Sequence, residues 1–300
     1  MNFDLKNLPE RTKKPRESGI TMVIDKGSSL QECKNLIESS AKYIDFVKFG
    51  WTTANFSENL EEKIKLFEDS DINVYFGGTL FEAFAIRDQF EDYIKILKKY
   101  NLKYAEVSDG SISIPHKKKC EYIEKLAEHV TVFSEIGSKD EKKIIPPYKW
   151  IRQMKAELNA GSWKVIGEAR ESGSVGLFRS SGEVRQGLVE EILTEIPTEK
   201  ILWEAPLKAQ QVWFVELLGQ NVNLGNISGN EVISLETIRV GLRGDTLTNT
   251  YNVTKQSIYS FFKRYGYGDF RFNSWNFWGY YCIITWYLQR LYLIFKIYKL

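Results

Sequence analysis

The sequence predicts a single-domain α/β protein of the (β/α)8 TIM barrel class. Three observations carry that expectation. Eight short apolar runs each stop at a polar cluster, a helical stretch follows each stop, and the unit recurs at roughly 25 to 35 residues over about 235 residues, a length that one barrel accommodates. The runs are Thr21–Ile24, Tyr43–Val47, Asn73–Phe76, Tyr104–Val107, Thr131–Phe133, Lys164–Ile166, Ile201–Trp203 and Val222–Leu224. Short runs with few polar residues suit parallel strands covered on both faces.

Each run is followed by its own punctuation. The clusters begin at Asp25, Lys48, Gly77, Glu106, Glu135, Glu168, Glu204 and Asn223. Beyond them Asn59–Asp69, Phe81–Tyr100, Cys120–His129, Tyr148–Asn159, Val184–Leu193 and Val232–Leu242 read as helices, most with apolar residues at three- and four-residue spacing among Lys and Glu. Ser57, Pro115, Pro147 and Ser181 stand near helix starts, and Glu58, Glu61 and Glu82 sit in early turns, as the N-terminal end of a helix dipole favours. Residues 1–14 are an N-terminal extension, 15–250 the barrel, and 251–300 a separate tail.

Composition narrows the functional classes. The 41 basic and 39 acidic residues leave a net charge of +2, which offers no basic field for nucleic acid. Cys33, Cys120 and Cys282 are too far apart for metal-ligand or redox pairs, and the polar opening of the chain carries no secretory signal, so a cytoplasmic protein is expected. With His116 and His129 as the only histidines, both expected on solvated helix surfaces, a Ser-His-Asp triad or a multi-histidine zinc site has too few parts. No Walker loop occurs, and no G-x-G-x-x-G follows the first strand.

What remains is a mixture of carboxylates and cations on one rim. Asp25, Glu106, Asp109, Glu135, Glu168, Glu171 and Glu204 stand at strand ends beside Lys48, Lys139, Arg170 and Lys208. Oxygen ligands for a hard cation combined with positive charge suit a polyanion held partly through magnesium. Lys48 lies inside an apolar stretch, where burying it without an anion would be costly, so it is assigned to substrate binding. Lys208 and Arg170, one and two units before the eighth, add positive charge that suits a phosphate or carboxylate. The turn-rich segment after the eighth run, with Gly225, Asn226 and Ser228, is where barrels often bind phosphate through backbone N–H groups. Glu135 and Glu168 are the favoured metal ligands, with Asp25 and Glu106 in reserve.

At these residues the chain resembles the phosphosulfolactate synthases. The matching segments include Asp25-Lys-Gly27, Asp45-Phe-Val-Lys48-Phe-Gly-Trp51, Gly77-Gly-Thr-Leu-Phe-Glu82, Glu106-Val-Ser-Asp-Gly110, Glu168-Ala-Arg-Glu-Ser-Gly173, Trp203-Glu-Ala-Pro206 and Asn221 to Asn226. The resemblance implies a barrel that adds sulfite to phosphoenolpyruvate with Mg²⁺ as cofactor, giving (2R)-2-phospho-3-sulfolactate. With the further matching segment Leu235 to Arg243, it assigns Arg170, Lys208 and Arg243 to phosphate, carboxylate or sulfite, and makes Lys139, the lysine of a Glu-x-Gly-x-Lys segment, the expected general acid, its pKa lowered by neighbouring cations. A homo-oligomer is expected. Two alternatives stand beside this reading: a non-catalytic, stress-related family member, and another metal-dependent lyase or aldolase on a phosphorylated enol or keto acid.

The tail reads differently. From Ser257 onward it is dense in Tyr, Phe, Trp and basic residues, with Asp269 as its one acid. Its apolar run Trp275–Leu288 spans about 14 residues where a membrane helix needs about 20. An interfacial helix, or a shifted reading frame appended to a complete barrel, are the other readings, and membrane contact is not favoured.

Overall fold

The structure is a computed structural model that describes residues 2–139 and 144–247. The aromatic tail lies outside the described residues. Among those described, no helix is long and apolar enough to cross a membrane.

Eight parallel strands alternate with helices. They are β1 Thr21–Asp25, β2 Phe46–Phe49, β3 Asn73–Phe76, β4 Tyr104–Val107, β5 Thr131–Ile136, β6 Ser162–Gly167, β7 Ile201–Glu204 and β8 Leu224–Ile227. The hydrogen-bonded order is β3-β2-β1-β8-β7-β6-β5-β4, so pairing of β1 with β8 turns the sheet on itself and leaves β3 and β4 as adjacent ends. The predicted barrel is therefore present and nearly closed. The helices are α1 Leu30–Ser40, α2 Leu60–Glu68, α3 Gly78–Ala85, α4 Phe90–Lys99, α5 His116–Ala127, α6 Pro147–Asn159, α7 Gln186–Leu193, α8 Lys208–Leu218 and α9 Val232–Arg239.

Local chemistry explains most boundaries. Ser29 accepts from the Glu32 N–H while Glu32 accepts from the Ser29 N–H, a reciprocal box that starts α1. Pro115 precedes α5 and Pro147 is its counterpart inside the first turn of α6, where a missing N–H costs nothing. The predicted Phe81–Tyr100 helix is instead two helices. Asp88 takes a left-handed φ of 56° between them, a conformation Asp tolerates better than most residues, so no Gly or Pro announced the break. The second strand begins later than predicted because Ala41–Tyr43 forms a 3-10 turn, and the eighth begins at Leu224 rather than Val222. Asn223 instead spends its side chain tying the strand bases together, accepting from the Ile20 N–H and donating to the Ile201 carbonyl.

The barrel interior is layered. Ile20, Met22, Phe46, Tyr75, Phe133, Ile166 and Leu202 form a dry lower plug, with Phe133 stacked on Tyr75 at 5.2 Å and edge-on to Phe46 at 5.3 Å. Two residues further along five strands the same inward face carries charge: Phe46 is followed by Lys48, Tyr104 by Glu106, Phe133 by Glu135, Ile166 by Glu168 and Leu202 by Glu204. A side-chain period of two puts each pair on one face, one layer apart. The plug thus supports the charged layer. Phe133→Ala should lower stability by about 3–5 kcal/mol through the cavity left behind. Urea unfolding checks this, and a loss under about 1 kcal/mol would show the plug to be collapsible.

Candidate active site

A cleft of about 330 Å³ opens at the carboxyl ends of the strands, lined by Lys48, Glu106, Glu135, Lys139, Glu168, Arg170, Glu204 and Asn226 among others. Its floor is a lattice of ions. Lys48 Nζ lies 2.8 Å from Glu204 and 3.5 Å from Glu106. Lys139 Nζ lies 3.4 Å from Glu135 and 3.7 Å from Glu168. All four carboxylates are almost fully buried.

Backbone groups hold these carboxylates in place. The Gly78 N–H, at the start of α3, donates to Glu106 at 2.7 Å. A Cβ on Gly78 would stand 2.3 Å from Ser108 Oγ and 2.8 Å from that carboxylate, so only glycine allows the approach. This contact also bridges the β3–β4 seam. The Ala169 N–H donates to Glu204 at 3.0 Å, and the Arg170 N–H to Glu168 at 2.6 Å. Trp51, Arg170 and Asn226 all line the cleft with left-handed φ values of 52°, 54° and 55°. Such backbone persists in bulky residues only where the surroundings over-determine it.

The charges are strongly coupled. Burial works against the charge on Glu135, but the Lys139 ammonium and a hydrogen bond with Glu168 outweigh it and hold its carboxyl down at about 2. Glu168, desolvated and facing Glu135 and Glu204, is pushed well above the ordinary carboxylate range. Burial also raises Glu204, against the pull of Lys48, and raises Glu106 to about 7. Lys139 itself is desolvated, yet Glu135 and Glu168 push its pKa up. That corrects the expectation of a lysine lowered by neighbouring cations: its neighbours are anions.

Once fully ionised, as a bound cation would favour, the four carboxylates against two ammoniums would carry two negative charges, the complement of a divalent cation. One oxygen from each of Glu135, Glu168 and Glu204 lies within 4.8 Å of the others, and Glu106 Oε2 and Glu168 Oε2 accept no hydrogen bond. Buried carboxylate oxygens that are only distantly ion-paired and accept no hydrogen bond fit a hard metal ion.

The expected site residues divide into two groups. Lys48, Glu106, Glu135, Lys139, Glu168, Arg170 and Asn226 converge on the cleft. Asp25 does not: its carboxylate accepts from the Gly27 and Ser28 N–H groups and faces Lys63 at 3.7 Å, one unit away. Lys208 and Arg243 meet each other's partner outside the cleft, both pairing with Asp245, at 2.8 and 3.5 Å. Gly225 lacks a side chain because a Cβ would meet Met22 at 2.6 Å inside the barrel, and Ser228 precedes a 3-10 turn beyond the cleft lining. Glu204, read as a strand-end acid but not chosen as a ligand, stands at the centre. Its signal was the shared position two residues after an inward apolar side chain. Glu82, read as an early-turn helix acid, is buried and accepts from Ser108 Oγ at 2.7 Å. His116, expected on a solvated surface, contacts the fully buried Glu157 at 3.1 Å.

A nearly closed ring of parallel strands with its buried ions at one mouth defines an enzyme of the (β/α)8 barrel class, with its chemistry at the strands' carboxyl ends. Residues 9–245 match the (2R)-phospho-3-sulfolactate synthase (ComA) family. The chain belongs to that family and is an enzyme of the phosphosulfolactate synthase type, a lyase. It is 40% identical over 245 residues to phosphosulfolactate synthase of Methanothermobacter thermautotrophicus, covering 80% of this chain and 95% of that one. It is 41% identical over 249 residues to phosphosulfolactate synthase of Bacillus subtilis, covering 82% and 99%. The fold is also similar to that in the crystal structure of the Amycolatopsis orientalis BexX/CysO complex, with a TM-score of 0.50 at 13% identity over 79% of this chain and 93% of that one.

The raised Glu106 carboxyl gives a pH signature. Between about 4.5 and about 7 the folded protein holds a proton that the unfolded chain has released, so this group's contribution to stability falls as pH rises through that window. Chelator-treated Glu106→Gln protein should lose that slope. Urea midpoints measured across the window test it; an unaltered slope would assign the proton to another carboxyl.

Proposed function

We propose that the chain adds sulfite to phosphoenolpyruvate to give (2R)-2-phospho-3-sulfolactate, with Mg²⁺ as cofactor, in the cytoplasm. The observation that carries this reading is the convergence of Glu135, Glu168, Glu204, Lys48 and Lys139 in one cleft of a chain from this family. Glu135, Glu168 and Glu204 would hold the metal ion, with Glu106 beside them. When bound, Mg²⁺ supplies Lewis acidity that stabilises negative charge developing on the substrate carboxylate.

The chain's own residues account for the rest. Two anionic reactants must meet, and their repulsion would be severe in a water-poor pocket, so positive charge has to be supplied. Lys48, buried between Glu106 and Glu204, faces the cleft as a permanent cation. The Arg170 guanidinium makes no ion pair or hydrogen bond among the described residues and lines the same cleft, free to take a phosphate or carboxylate through paired N–H groups. Sulfite sulfur attacks the CH₂ carbon, the double-bond electrons move towards the carboxylate, and the neighbouring carbon takes a proton. Lys139 is the donor. Its two glutamates keep it protonated until the substrate needs the proton, and its flexible stem reaches over the mouth. Gly110 keeps that stem clear, since a Cβ there would come within 3.1–3.2 Å of Lys139 carbons.

Purified protein should form phosphosulfolactate, detected by mass spectrometry, only with phosphoenolpyruvate, sulfite and a divalent cation together. EDTA should abolish it, and turnover after thorough metal removal would refute the metal's role. Lys139→Ala should lower kcat by about 10²- to 10⁴-fold with little change in KM for phosphoenolpyruvate, the range a general acid supplies. Retention of more than about a tenth of wild-type kcat would mean that water or another residue delivers the proton.

A further inference from the structure

A second cavity adjoins the cleft. It encloses about 470 Å³ between the loops after β1 and β2, and Trp51 lines both spaces. Its wall is mixed: Leu30, Trp51 and Phe56 contribute apolar surface, and the hydroxyls of Ser28, Thr52 and Thr53 and the amide of Asn59 contribute polar groups. Among the described residues its one cation is Lys63, on α2, which is only 4% exposed. A buried ammonium normally fills its donors, because leaving them unmade is costly. Lys63 does not: its Nζ donates no hydrogen bond among the described residues, and its ion-pair partner, Asp25 Oδ2, is 3.7 Å away. That oxygen, Asp25 Oδ2, is itself without a hydrogen bond.

Two helices begin at this cavity. The first turn of α1 is already closed by the Ser29–Glu32 box, but Asn59 before α2 makes no side-chain cap, so the opening N–H groups of α2 have no such partner. The opposing charge on the lining is Glu58, which is exposed. A buried ammonium with vacant donors, hydroxyl groups and the positive end of a helix are the components of an oxyanion site. None of these groups belongs to the ion lattice around Lys48 and Lys139.

We propose that this cavity is a second anion site, anchored by Lys63, for a small oxyanion of the sulfite or phosphate type, placed beside the cleft and separated from it by Trp51. Two sources share that chemistry: free sulfite awaiting the reaction, and the phosphate group of a phosphorylated substrate. The assignment of either as a reactant rests on the proposed reaction, whereas anion binding does not.

Isothermal titration of sulfite, and separately of inorganic phosphate, into the full chain at low salt tests the site without metal or phosphoenolpyruvate. At least one should bind saturably. Binding should weaken about tenfold or more in Lys63→Met/Asp25→Asn, which removes both members of the buried pair and leaves no lone charge. Asn59→Asp places a carboxylate in the lining at an N-cap position that suits it, so folding is safe and affinity should fall about threefold or more. Arg170→Met removes any anion binding by the free guanidinium of the neighbouring cleft, and the Lys63-dependent component of binding should stay within about twofold. Saturation by sulfite alone marks a nucleophile site, and saturation by phosphate alone marks a phosphate-group site. No saturable binding of either anion, an affinity unchanged in both lining variants, or a loss seen only in Arg170→Met overturns the proposal. Absence of phosphosulfolactate product with anion binding intact would instead overturn the reaction alone.

Discussion

The Lys48 ammonium, held between Glu204 and Glu106 in the middle of the barrel, is the contact on which the other features depend. It is buried, so its desolvation has to be offset by those two anions, and they in turn are tolerable only because it is there. Glu106 comes from β4, Glu204 from β7 and Lys48 from β2, so one ammonium ties three separate walls of the barrel together. Deleting it would leave two carboxylates facing each other in a dry space, where such charges repel strongly.

This arrangement depends on what lies beneath it. The aromatic plug of Phe46, Tyr75 and Phe133 fills the lower interior and keeps water out from below, so the charged layer opens in one direction only. Glycine completes the fit at the seam, where Gly78 lets a helix N-terminus touch the Glu106 carboxylate across the β3–β4 gap. The helix dipole adds positive potential at the point where ladder hydrogen bonds are not shared. Further from the centre the buried Lys119 donates to the Glu135 carbonyl at 2.6 Å and to Asp109 at 2.8 Å, fixing the backbone under one of the central carboxylates. The site is therefore rigid where charges cluster. Among the described residues its one uncommitted cation, Arg170, stands at the exposed rim, where a substrate would first arrive.

Much of this was legible in the chain. Eight strand-and-helix units, the side of the barrel that bears the chemistry, and the membership of Lys48, Glu106, Glu135, Lys139, Glu168 and Arg170 in one cleft follow from local pattern, because strand ends in a barrel share a face whatever the loops do. Asp25 and Lys208 were drawn into the same group by that reasoning and Arg243 by the family resemblance, and all three side chains find their partners outside the cleft. Standing at a strand end does not fix which way a side chain turns. Asp25 turns to the Gly27 and Ser28 N–H groups and to Lys63, and Lys208 and Arg243 turn to Asp245.

The sequence by itself determined the period, the parallel order of strands and the inward alternation of apolar and charged residues, since each depends on spacings of two to four residues that any reader of the chain can count. Tertiary structure alone decided the partners. Distances such as the 2.8 Å between Lys48 and Glu204 join residues 156 positions apart, and no local spacing encodes them. It also decided the sign of the environment around Lys139, which became anionic because parallel pairing of β5 with β6 brought Glu168, just past β6, beside Glu135 on β5. The electrostatic character of a buried group is a sum over everything packed around it, and that sum exists only once the chain is folded.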